Sequence, residues 1–211
     1  ASLLRALLLV LSASSSFAAD KAKTPVTCGS TLKLMHAQTK HRLHSHDIAY
    51  GSGSGQQSVT AYPNGGDANS YWIIRPGVDR TSNGFQEREC AQGTTIKHGD
   101  LVRLQHVHTR KWLHSHLHRS PLTGQQEVSG FGGDNESDLS DNWRVEVEQG
   151  KELLKDKKFR LVHVETNLYL SSSENKYGRP IAGQQEVCGS HKKDQNTFWM
   201  ATEGVYFPAR E

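Results

Sequence analysis

The stretch KWLHSHLH, residues 111–118, places histidines at alternate positions beside a tryptophan. If this stretch is a strand, His114, His116 and His118 share one face, because side chains alternate with a period of two. Imidazoles arranged in this way can bind a metal ion or change charge near neutral pH. Which chemistry applies depends on the elements that hold the histidines, and on whether those elements recur along the chain.

Four short sequence blocks recur three times in the same order. The first is an apolar residue followed by Lys or Arg and then Leu, and the second is Leu followed by alternating His and Ser or by Ser alone. The third is a Gln pair and the fourth is a Trp. The blocks lie at Leu34, Leu104 and Leu161; at Leu43-His44-Ser45-His46, Leu113-His114-Ser115-His116 and Leu170-Ser171-Ser172-Ser173; at Gln56-Gln57, Gln125-Gln126 and Gln184-Gln185; and at Trp72, Trp143 and Trp199. Their nearly constant spacing indicates three copies of one structural unit.

Each copy is predicted to contain about four short strands. Stretches such as LVRLQHV and FRLVHVE alternate apolar with polar residues, and turn-forming residues separate them. No segment after residue 30 sustains a helical period. One copy has too little apolar surface to fold alone, whereas three copies can bury the repeated Leu and Trp around a shared axis. The sequence therefore predicts an all-β protein, a β-trefoil of about twelve strands, with another closed barrel or a sandwich as the alternative.

The N-terminal residues have the pattern of a secretory signal peptide. Arg5 precedes a short apolar run, and small residues follow as far as Ala18 and Ala19. The apolar run is shorter than the ~20 residues that span a bilayer. We expect a signal peptide over residues 1–19, a linker over 20–27, a repeat domain over 28–208 and a tail over 209–211. The repeats are expected at about 28–82, 90–148 and 151–204.

Entry into the secretory pathway would allow disulfide formation and glycosylation. Cys28, Cys90 and Cys188 permit three choices of disulfide pair. Asn135 begins an Asn-Glu-Ser sequon, a possible site of N-glycosylation. Basic residues are scattered, and the net charge is only +3, which argues against a nucleic-acid partner.

Several stretches closely resemble the stromal cell-derived factor 2 family. They are LHSHDIAYGSGSGQQSVT (43–60), NSYW (69–72), TRKWLHSHLHRSPLTGQQEVS (109–129), YGRPIAGQQEVCG (177–189) and EGVYFP (203–208). Members of this family consist of a signal peptide and three MIR repeats, a module shared with protein O-mannosyltransferases and with inositol trisphosphate and ryanodine receptors. The resemblance covers residues 28–208. It implies a β-trefoil in the endoplasmic reticulum lumen, acting with a DnaJ-type co-chaperone and the Hsp70-type chaperone BiP on unfolded or misfolded clients.

The chain departs from the family pattern at two points. Many members end in an HDEL-like retrieval signal, whereas this sequence ends in Ala209-Arg210-Glu211. Retention by a partner, secretion and an incomplete C-terminus all remain open. Several animal members of the family also carry a second cysteine pair, and His98 and Glu146 stand at the positions in this chain that align with it. The cysteine match that remains implies a Cys28–Cys90 disulfide and a free Cys188.

The repeats separate core positions from candidate contact positions. The Gln pairs recur in every copy and are expected to complete the hydrogen bonding of each turn, whereas residues present in one or two copies are better candidates for partner binding. These are His44, His46, Asp47, Tyr50, Arg110, Lys111, His114, His116 and His118. The histidines of copies one and two have serine counterparts in copy three, which disfavours a shared metal site.

Neither a metal nor another cofactor is expected, and nucleophile-elbow, zinc-protease and phosphate-loop motifs are not found in the sequence, so an enzyme is not expected either. The function expected is that of a non-catalytic chaperone-complex subunit. The alternative is a lectin-like, glycan-binding module.

Overall fold

The computed structural model of the chain describes residues 23–147 and 152–210. The predicted signal peptide therefore lies outside the described residues. Among the residues described, strands and short turns dominate, and none of the helices has the length and apolar character needed to cross a membrane.

Each copy of the repeat forms four strands. The first copy contains β1 (Thr31–His36), β2 (Arg42–Ala49), β3 (Gln57–Tyr62) and β4 (Trp72–Pro76); an inserted hairpin follows, with β5 (Val78–Thr81) and β6 (Gly84–Glu87). The second contains β7 (Leu101–His106), β8 (Trp112–Arg119), β9 (Gln126–Phe131) and β10 (Trp143–Val147). The third contains β11 (Lys158–His163), β12 (Tyr169–Lys176), β13 (Gln185–Ser190) and β14 (Trp199–Val205). A 3-10 turn precedes the last strand of each copy, at Ala68–Ser70, Leu139–Asp141 and Gln195–Thr197.

The twelve repeat strands form a barrel closed by a triangular cap. In the barrel, β1 pairs with β4, β4 with β7, β7 with β10, β10 with β11, β11 with β14, and β14 with β1. In the cap, the hairpins β2–β3, β8–β9 and β12–β13 meet through antiparallel pairing among β3, β9 and β13. This is the predicted β-trefoil, in which every copy contributes two barrel strands and one cap hairpin.

The repeated Leu and Trp residues form the core, as the sequence predicts. Each Trp indole is buried and donates its Nε1–H to the carbonyl of the Leu that begins the second sequence block. These bonds join Trp72 to Leu43 (3.0 Å), Trp143 to Leu113 (2.9 Å) and Trp199 to Leu170 (2.9 Å). One buried ring thus fixes the cap hairpin to the barrel in every copy.

One buried histidine per copy joins that copy to its neighbour. The rings of His36, His106 and His163 pack on Trp199, Trp72 and Trp143, with centroids 5.1, 4.9 and 5.1 Å apart. Their Nδ1 atoms lie 2.9, 2.9 and 2.8 Å from the hydroxyls of Thr39, Thr109 and Thr166, and their Nε2 atoms lie 2.9, 2.8 and 2.9 Å from the carbonyls of Asn196, Asn69 and Ser140. A carbonyl only accepts, so each Nε2 is protonated. The backbone N–H groups of Thr39 and Thr109 donate to Nδ1 of His36 and His106 (3.3 and 3.2 Å), so these Nδ1 atoms accept. The neutral imidazole is therefore the form that fits.

The second glutamine of the recurring pairs also joins copies. The amide of Gln57 donates to Ser45 in its own copy (2.7 Å) and to Thr109 in the next (2.8 Å). Gln126 does the same, with Ser115 (2.7 Å) and Thr166 (2.9 Å) as its acceptors. These two glutamines are structural, as predicted, but they connect neighbouring copies and do not close a turn.

The cation of the first sequence block packs on an aromatic ring in every copy. The side-chain cations lie 4.4, 4.2 and 3.5 Å from ring centroids, in the pairs Lys33–Tyr71, Arg103–Trp112 and Arg160–Phe198. Lys33 and Arg103 are buried, and their remaining donors find oxygen acceptors; Lys33, for example, donates to the carbonyls of Gly65 (2.7 Å) and Asp67 (2.6 Å). The recurring Lys or Arg is thus part of the fold and not a solvated face.

Within the linker expected over residues 20–27, residues 24–27 pair with neighbouring segments of the chain. Val26 is buried in the core. Its backbone N–H donates to the Leu153 carbonyl (2.8 Å), and its carbonyl accepts from the N–H of Ile96 (2.9 Å). Its apolar side chain helps to close the barrel opposite the cap, which explains why this segment is packed. Cys28 follows it and is disulfide-bonded to Cys90, whereas Cys188 is buried in β13 as a free thiol. Burial raises the pKa of the Cys188 thiol to about 12.

The hairpin β5–β6 is an addition to the twelve predicted strands. Together with its two-residue turn it spans residues 78–87, and we call it the finger. Asn142 fixes its root, since the amide accepts from the backbone N–H of Val78 (2.9 Å) and donates to the Val78 carbonyl (2.8 Å). Apart from Val78, the side chains of the finger are exposed. The finger therefore projects from a fixed base between the first and second copies.

Candidate functional site

The histidines of the first copy are held inside the fold. His44 is buried and its Nδ1 lies 2.9 Å from the carboxylate of Asp67, while its Nε2 lies 2.7 Å from Nδ1 of His46. Burial lowers the pKa of both histidines, and their mutual repulsion lowers that of His46 further. A neutral pair in which His46 donates to His44, and His44 donates to Asp67, satisfies these contacts. Both nitrogens of His44 and the Nδ1 of His46 are therefore already used within the fold.

The histidines of the second copy share one face of β8, as predicted. The ring centroids of His114 and His116 are 5.1 Å apart, and those of His116 and His118 are 4.6 Å apart. His114 is buried against Asp141 (2.9 Å), and His116 contacts the buried carboxylate of Glu127 (3.0 Å). Of the three, only His118 is exposed to solvent. The row therefore runs from the core to the surface and does not present three free imidazoles.

Glu127 connects this row to the first copy. Its carboxylate accepts hydrogen bonds from the backbone N–H and the hydroxyl of Ser54, in the β2–β3 turn, as well as from His116. Burial raises the pKa of Glu127, but these hydrogen bonds outweigh it and leave the pKa below its ordinary value. A charged Glu127 thus joins the first two cap hairpins.

In the described part of the chain, the set of groups that comes nearest to a metal site is His114, Asp138 and Asp141. Their ligand atoms lie within 4.8 Å of one another. However, Asp138 accepts from the N–H of Ser140 (2.9 Å), and Asp141 accepts from the N–H of Asp138 (2.8 Å), so both carboxylates cap the 3-10 turn. These bonds account for the cluster without an ion, and the expectation that no metal is bound stays a prediction.

The other sequence candidates differ in their exposure. Tyr50 is buried and its hydroxyl lies within hydrogen-bond distance of backbone carbonyls of β3 and β9, which removes it from the contact surface. Asp47 is exposed at the cap. Arg110 pairs with Asp134 (2.8 Å) and Lys111 donates to the Gly132 carbonyl (3.1 Å), so both basic residues hold the turn that follows β9.

A groove lies between that turn and the finger, and we call it the finger groove. It has a volume of about 370 Å³, and its lining includes Phe85, Glu87, Arg103, Trp112, Asp134 and Asn135. Trp112 forms the floor, is only 3% exposed and lies beneath the Arg103 guanidinium. Phe85, at 45% exposure, is the aromatic ring that a ligand in the groove would meet.

The polar groups around the finger groove are fixed by internal bonds. Arg103 donates to the carbonyl of Pro76 (2.8 Å), to the hydroxyl of Ser137 (2.5 Å) and to the carboxylate of Glu87. One buried guanidinium thus connects the base of the finger, the end of β6 and the loop after β9. The walls of the groove are consequently held in place before any ligand arrives.

A second open groove of about 380 Å³ lies between the β8–β9 hairpin and the third copy. His118, Arg119, Leu168 and His191 contribute to its lining, as does Leu117, which is 87% exposed. Each groove combines repeated residues, such as Arg103 in the first and Gln126 in the second, with residues found in one copy only. The finger groove differs from the second groove because the edges of strands β5 and β6 lie beside it.

Comparison with known proteins identifies the family of the chain. A family model described as "MIR domain" matches residues 49–201. A stromal cell-derived factor 2-like protein of Arabidopsis thaliana is 50% identical over 198 residues, covering 93% of this chain and 87% of the relative. The chain belongs to the stromal cell-derived factor 2 family. Human stromal cell-derived factor 2 is 46% identical over 186 residues, covering 88% of this chain and 84% of the human protein.

Solved structures agree with this family assignment. The crystal structure of the SDF2-like protein from Arabidopsis thaliana has a TM-score of 0.81 and 52% identity, and the match covers 89% of this chain and 99% of that one. The Pmt1–Pmt2 protein O-mannosyltransferase complex of S. cerevisiae, solved with its sugar donor, has a TM-score of 0.75 and 33% identity. That match covers 87% of this chain but 26% of the transferase chain. The family thus shares its trefoil with one part of a larger enzyme.

Two structural features, the joining histidines and the finger, were not predicted from the sequence. The joining histidines recur as His-x-x-Thr at His36, His106 and His163, a pattern that the repeat alignment contains. The finger has a weaker signal in Asn83-Gly84, a dipeptide that favours tight hairpin turns. Its strands have no apolar face, so periodicity alone does not reveal them.

Proposed function

We propose that the protein is a non-catalytic subunit of a chaperone and co-chaperone complex in the lumen of the endoplasmic reticulum. A DnaJ-type co-chaperone and a BiP-type Hsp70 chaperone are its partners, and unfolded or misfolded proteins are the clients. Membership of the stromal cell-derived factor 2 family supports this function. The observation that carries the proposed docking site is the finger with its adjoining groove.

The finger offers free strand edges. Strands β5 and β6 pair with each other and, among the residues described, with no other strand. The outer edge of each strand therefore has backbone groups that an extended segment can bond, as in recognition by strand addition. An extended segment of a co-chaperone or client would gain main-chain hydrogen bonds from either edge.

The finger groove supplies side-chain recognition next to these edges. Phe85 projects from β6, and the Arg80 guanidinium lies 5.6 Å from the centroid of its ring. An apolar side chain of the docked segment can pack on Phe85, while alternate side chains face Glu87 and Asp134 on the groove wall. Because the walls are already fixed, docking orders few protein groups, which favours affinity.

Substitution of Phe85 by Asp should weaken partner binding. An exposed aromatic anchor at the centre of an interface typically contributes about 2 kcal/mol or more, which corresponds to a roughly 30-fold weaker Kd. The tagged protein and its variant are used to capture partners from an endoplasmic reticulum lysate, and the captured proteins are quantified by mass spectrometry. We expect the wild type to retain the DnaJ-type co-chaperone and the variant to lose most of it.

Leu122→Asp is the matched control for Phe85→Asp. Leu122 is 41% exposed in the turn of the β8–β9 hairpin, so it has similar accessibility at another surface. Both variants should melt like the wild type, because neither side chain is in the core. Equal capture by Phe85→Asp and wild type would reject the docking site. A wild-type protein that captures neither chaperone would reject the function.

Glycan binding is the second candidate, and the composition of the finger groove favours it. Sugar sites combine polar groups with an aromatic face, and Phe85, Asp134 and Asn135 provide these groups here. The Trp112 ring is buried under Arg103 and cannot stack on a sugar, so Phe85 is the aromatic face that the groove offers. Binding on a glycan array that disappears in Phe85→Asp would support this candidate, whereas an empty array at millimolar sensitivity would reject it.

A further inference from the structure

The sequon at Asn135 lies on the wall of the finger groove. We propose that Asn135 carries an N-linked glycan, that the glycan is attached before the second copy folds, and that it partly covers the finger groove, so that it weakens docking without abolishing it. The inference rests on the proposed function for the luminal location of the chain. It goes beyond that function in assigning a modification and a means of controlling access to the docking site.

Asn135 is presented in an exposed, tightly defined turn. The N–H of Gly133 donates to the Glu136 carbonyl (3.0 Å), and the N–H of Glu136 donates to the Gly133 carbonyl (3.2 Å). Gly132 begins this turn with a φ of +61°, and a Cβ there would lie 2.1 Å from the Glu136 carbonyl oxygen. Close backbone approach therefore requires the glycine and holds the asparagine outward, where a bulky glycan can be accommodated.

The hydroxyl of Ser137 is used by the folded protein. It accepts a hydrogen bond from Arg103 (2.5 Å) and donates one to the buried carboxylate of Asp141 (2.7 Å). A serine hydroxyl has one hydrogen to donate, and a sequon depends on the hydroxyl of its third residue. The folded chain thus withholds the hydroxyl that a transferase must recognise. Attachment must come first, while Ser137 is free.

The reaction needs one activated donor and no redox partner. The amide nitrogen of Asn135 forms a bond to the anomeric carbon of an oligosaccharide linked to a lipid pyrophosphate. The bond between that carbon and the pyrophosphate oxygen breaks, the lipid pyrophosphate leaves as the anion, and the amide gives up one proton. The Cys28–Cys90 disulfide is compatible with the same compartment, because disulfides persist where the environment is oxidising.

A glycan at this position would control the docking site. Asn135 and Phe85 belong to the lining of one groove, so a branched sugar attached to Asn135 lies over the ring on which an apolar side chain would pack. Folding itself need not be disturbed, since the modified amide is exposed. Glycosylated protein should consequently bind its partner more weakly than unmodified protein with the same fold.

The test uses the full chain isolated from cells that express it in the secretory pathway. Treatment with a peptide-N-glycosidase should increase gel mobility and convert Asn135 to Asp in the peptide map. Asn135→Gln should abolish the mobility change, while Asn83→Gln, an exposed asparagine outside any sequon, should retain it. Asn135→Gln should also capture more co-chaperone than the glycosylated wild type.

Folding order is tested with unmodified protein. The folded chain, incubated with microsomal transferase and lipid-linked donor, should stay unmodified, whereas a chain synthesised in the presence of the same microsomes should gain the glycan. Modification of the folded chain would overturn the order, and equal capture by Asn135→Gln and wild type would overturn the covering role. A luminal chain with unmodified Asn135 overturns this inference alone. A chain outside the lumen overturns the proposed function as well.

Discussion

Lowering the pH from 7 to 4 should cost the fold about 3 kcal/mol through His106 alone, at 1.36 kcal/mol per pKa unit. Burial lowers the pKa of His106 from 6.5 to about 4, against the opposing effect of its bond to the Asn69 carbonyl. The unfolded chain therefore binds this proton at a higher pH than the folded chain. Stability that is present above pH 6.5 is lost as the pH falls towards 4.

The equivalent histidines should add to this loss. Burial also lowers the pKa of His36 and His163, and each occupies the same position between a Thr hydroxyl and a neighbouring carbonyl. The Glu203 carboxylate titrates later: hydrogen bonds from Arg42 and Thr202 outweigh burial and lower its pKa to about 2. Its contribution is lost only below its unfolded pKa of 4.5. The histidines thus account for the first part of acid unfolding.

Urea unfolding at a series of pH values measures this effect. In His106→Gln, the loss of unfolding free energy between pH 7 and pH 4 should be about 3 kcal/mol smaller than in wild type. His118→Gln is the control, because His118 is exposed on the same protein and its replacement removes no buried ring. A wild-type stability that stays constant between pH 6.5 and 4.5 would contradict the role given to the joining histidines.

Removal of the disulfide with the double substitution Cys28→Ser and Cys90→Ser should cost about 4 kcal/mol. The bond joins cysteines 62 residues apart, and chain-entropy estimates for a loop of this length give that magnitude. It connects the buried start of the first copy to the segment after the finger. For a domain of this size, the Tm should fall by roughly 8 to 16 °C.

Calorimetry of both forms under oxidising and reducing conditions checks this result. Wild type under reducing conditions should approach the Tm of the double variant, and the reductant should leave the variant unchanged. Cys188→Ala is the control, since Cys188 is a buried free thiol and its replacement should not remove the sensitivity to reductant. Equal Tm values for oxidised wild type and the double variant would mean that the bond does not stabilise the fold.

The trefoil was predictable because its core positions recur. Leu104 and Trp143, for instance, have counterparts at matching spacing in both other copies, and such a pattern requires equivalent environments. The finger was not predictable in this way. It occurs once and lacks an apolar face, and its position depends on Asn142, which is distant in sequence.

The exposure of the candidate residues was harder to predict than the face of the strand on which they lie. Alternation correctly places His114 and His116 together on β8, but it does not reveal that the Leu139–Asp141 turn covers His114. The finger groove is similarly beyond sequence reasoning, because Arg103 assembles it from segments around Pro76, Glu87 and Ser137. Repetition identifies what the fold needs, whereas the docking site depends on tertiary contacts of single residues.

The most direct test of the proposed docking site is site-specific photo-crosslinking in cells. A photoreactive phenylalanine analogue is placed at Phe85 in the finger or, for comparison, at Leu122 in the β8–β9 turn, and cross-linked proteins are identified by mass spectrometry. We expect a cross-link from position 85 to the DnaJ-type co-chaperone and none from position 122. Cross-linking of that partner at position 122 with none at position 85 would contradict it.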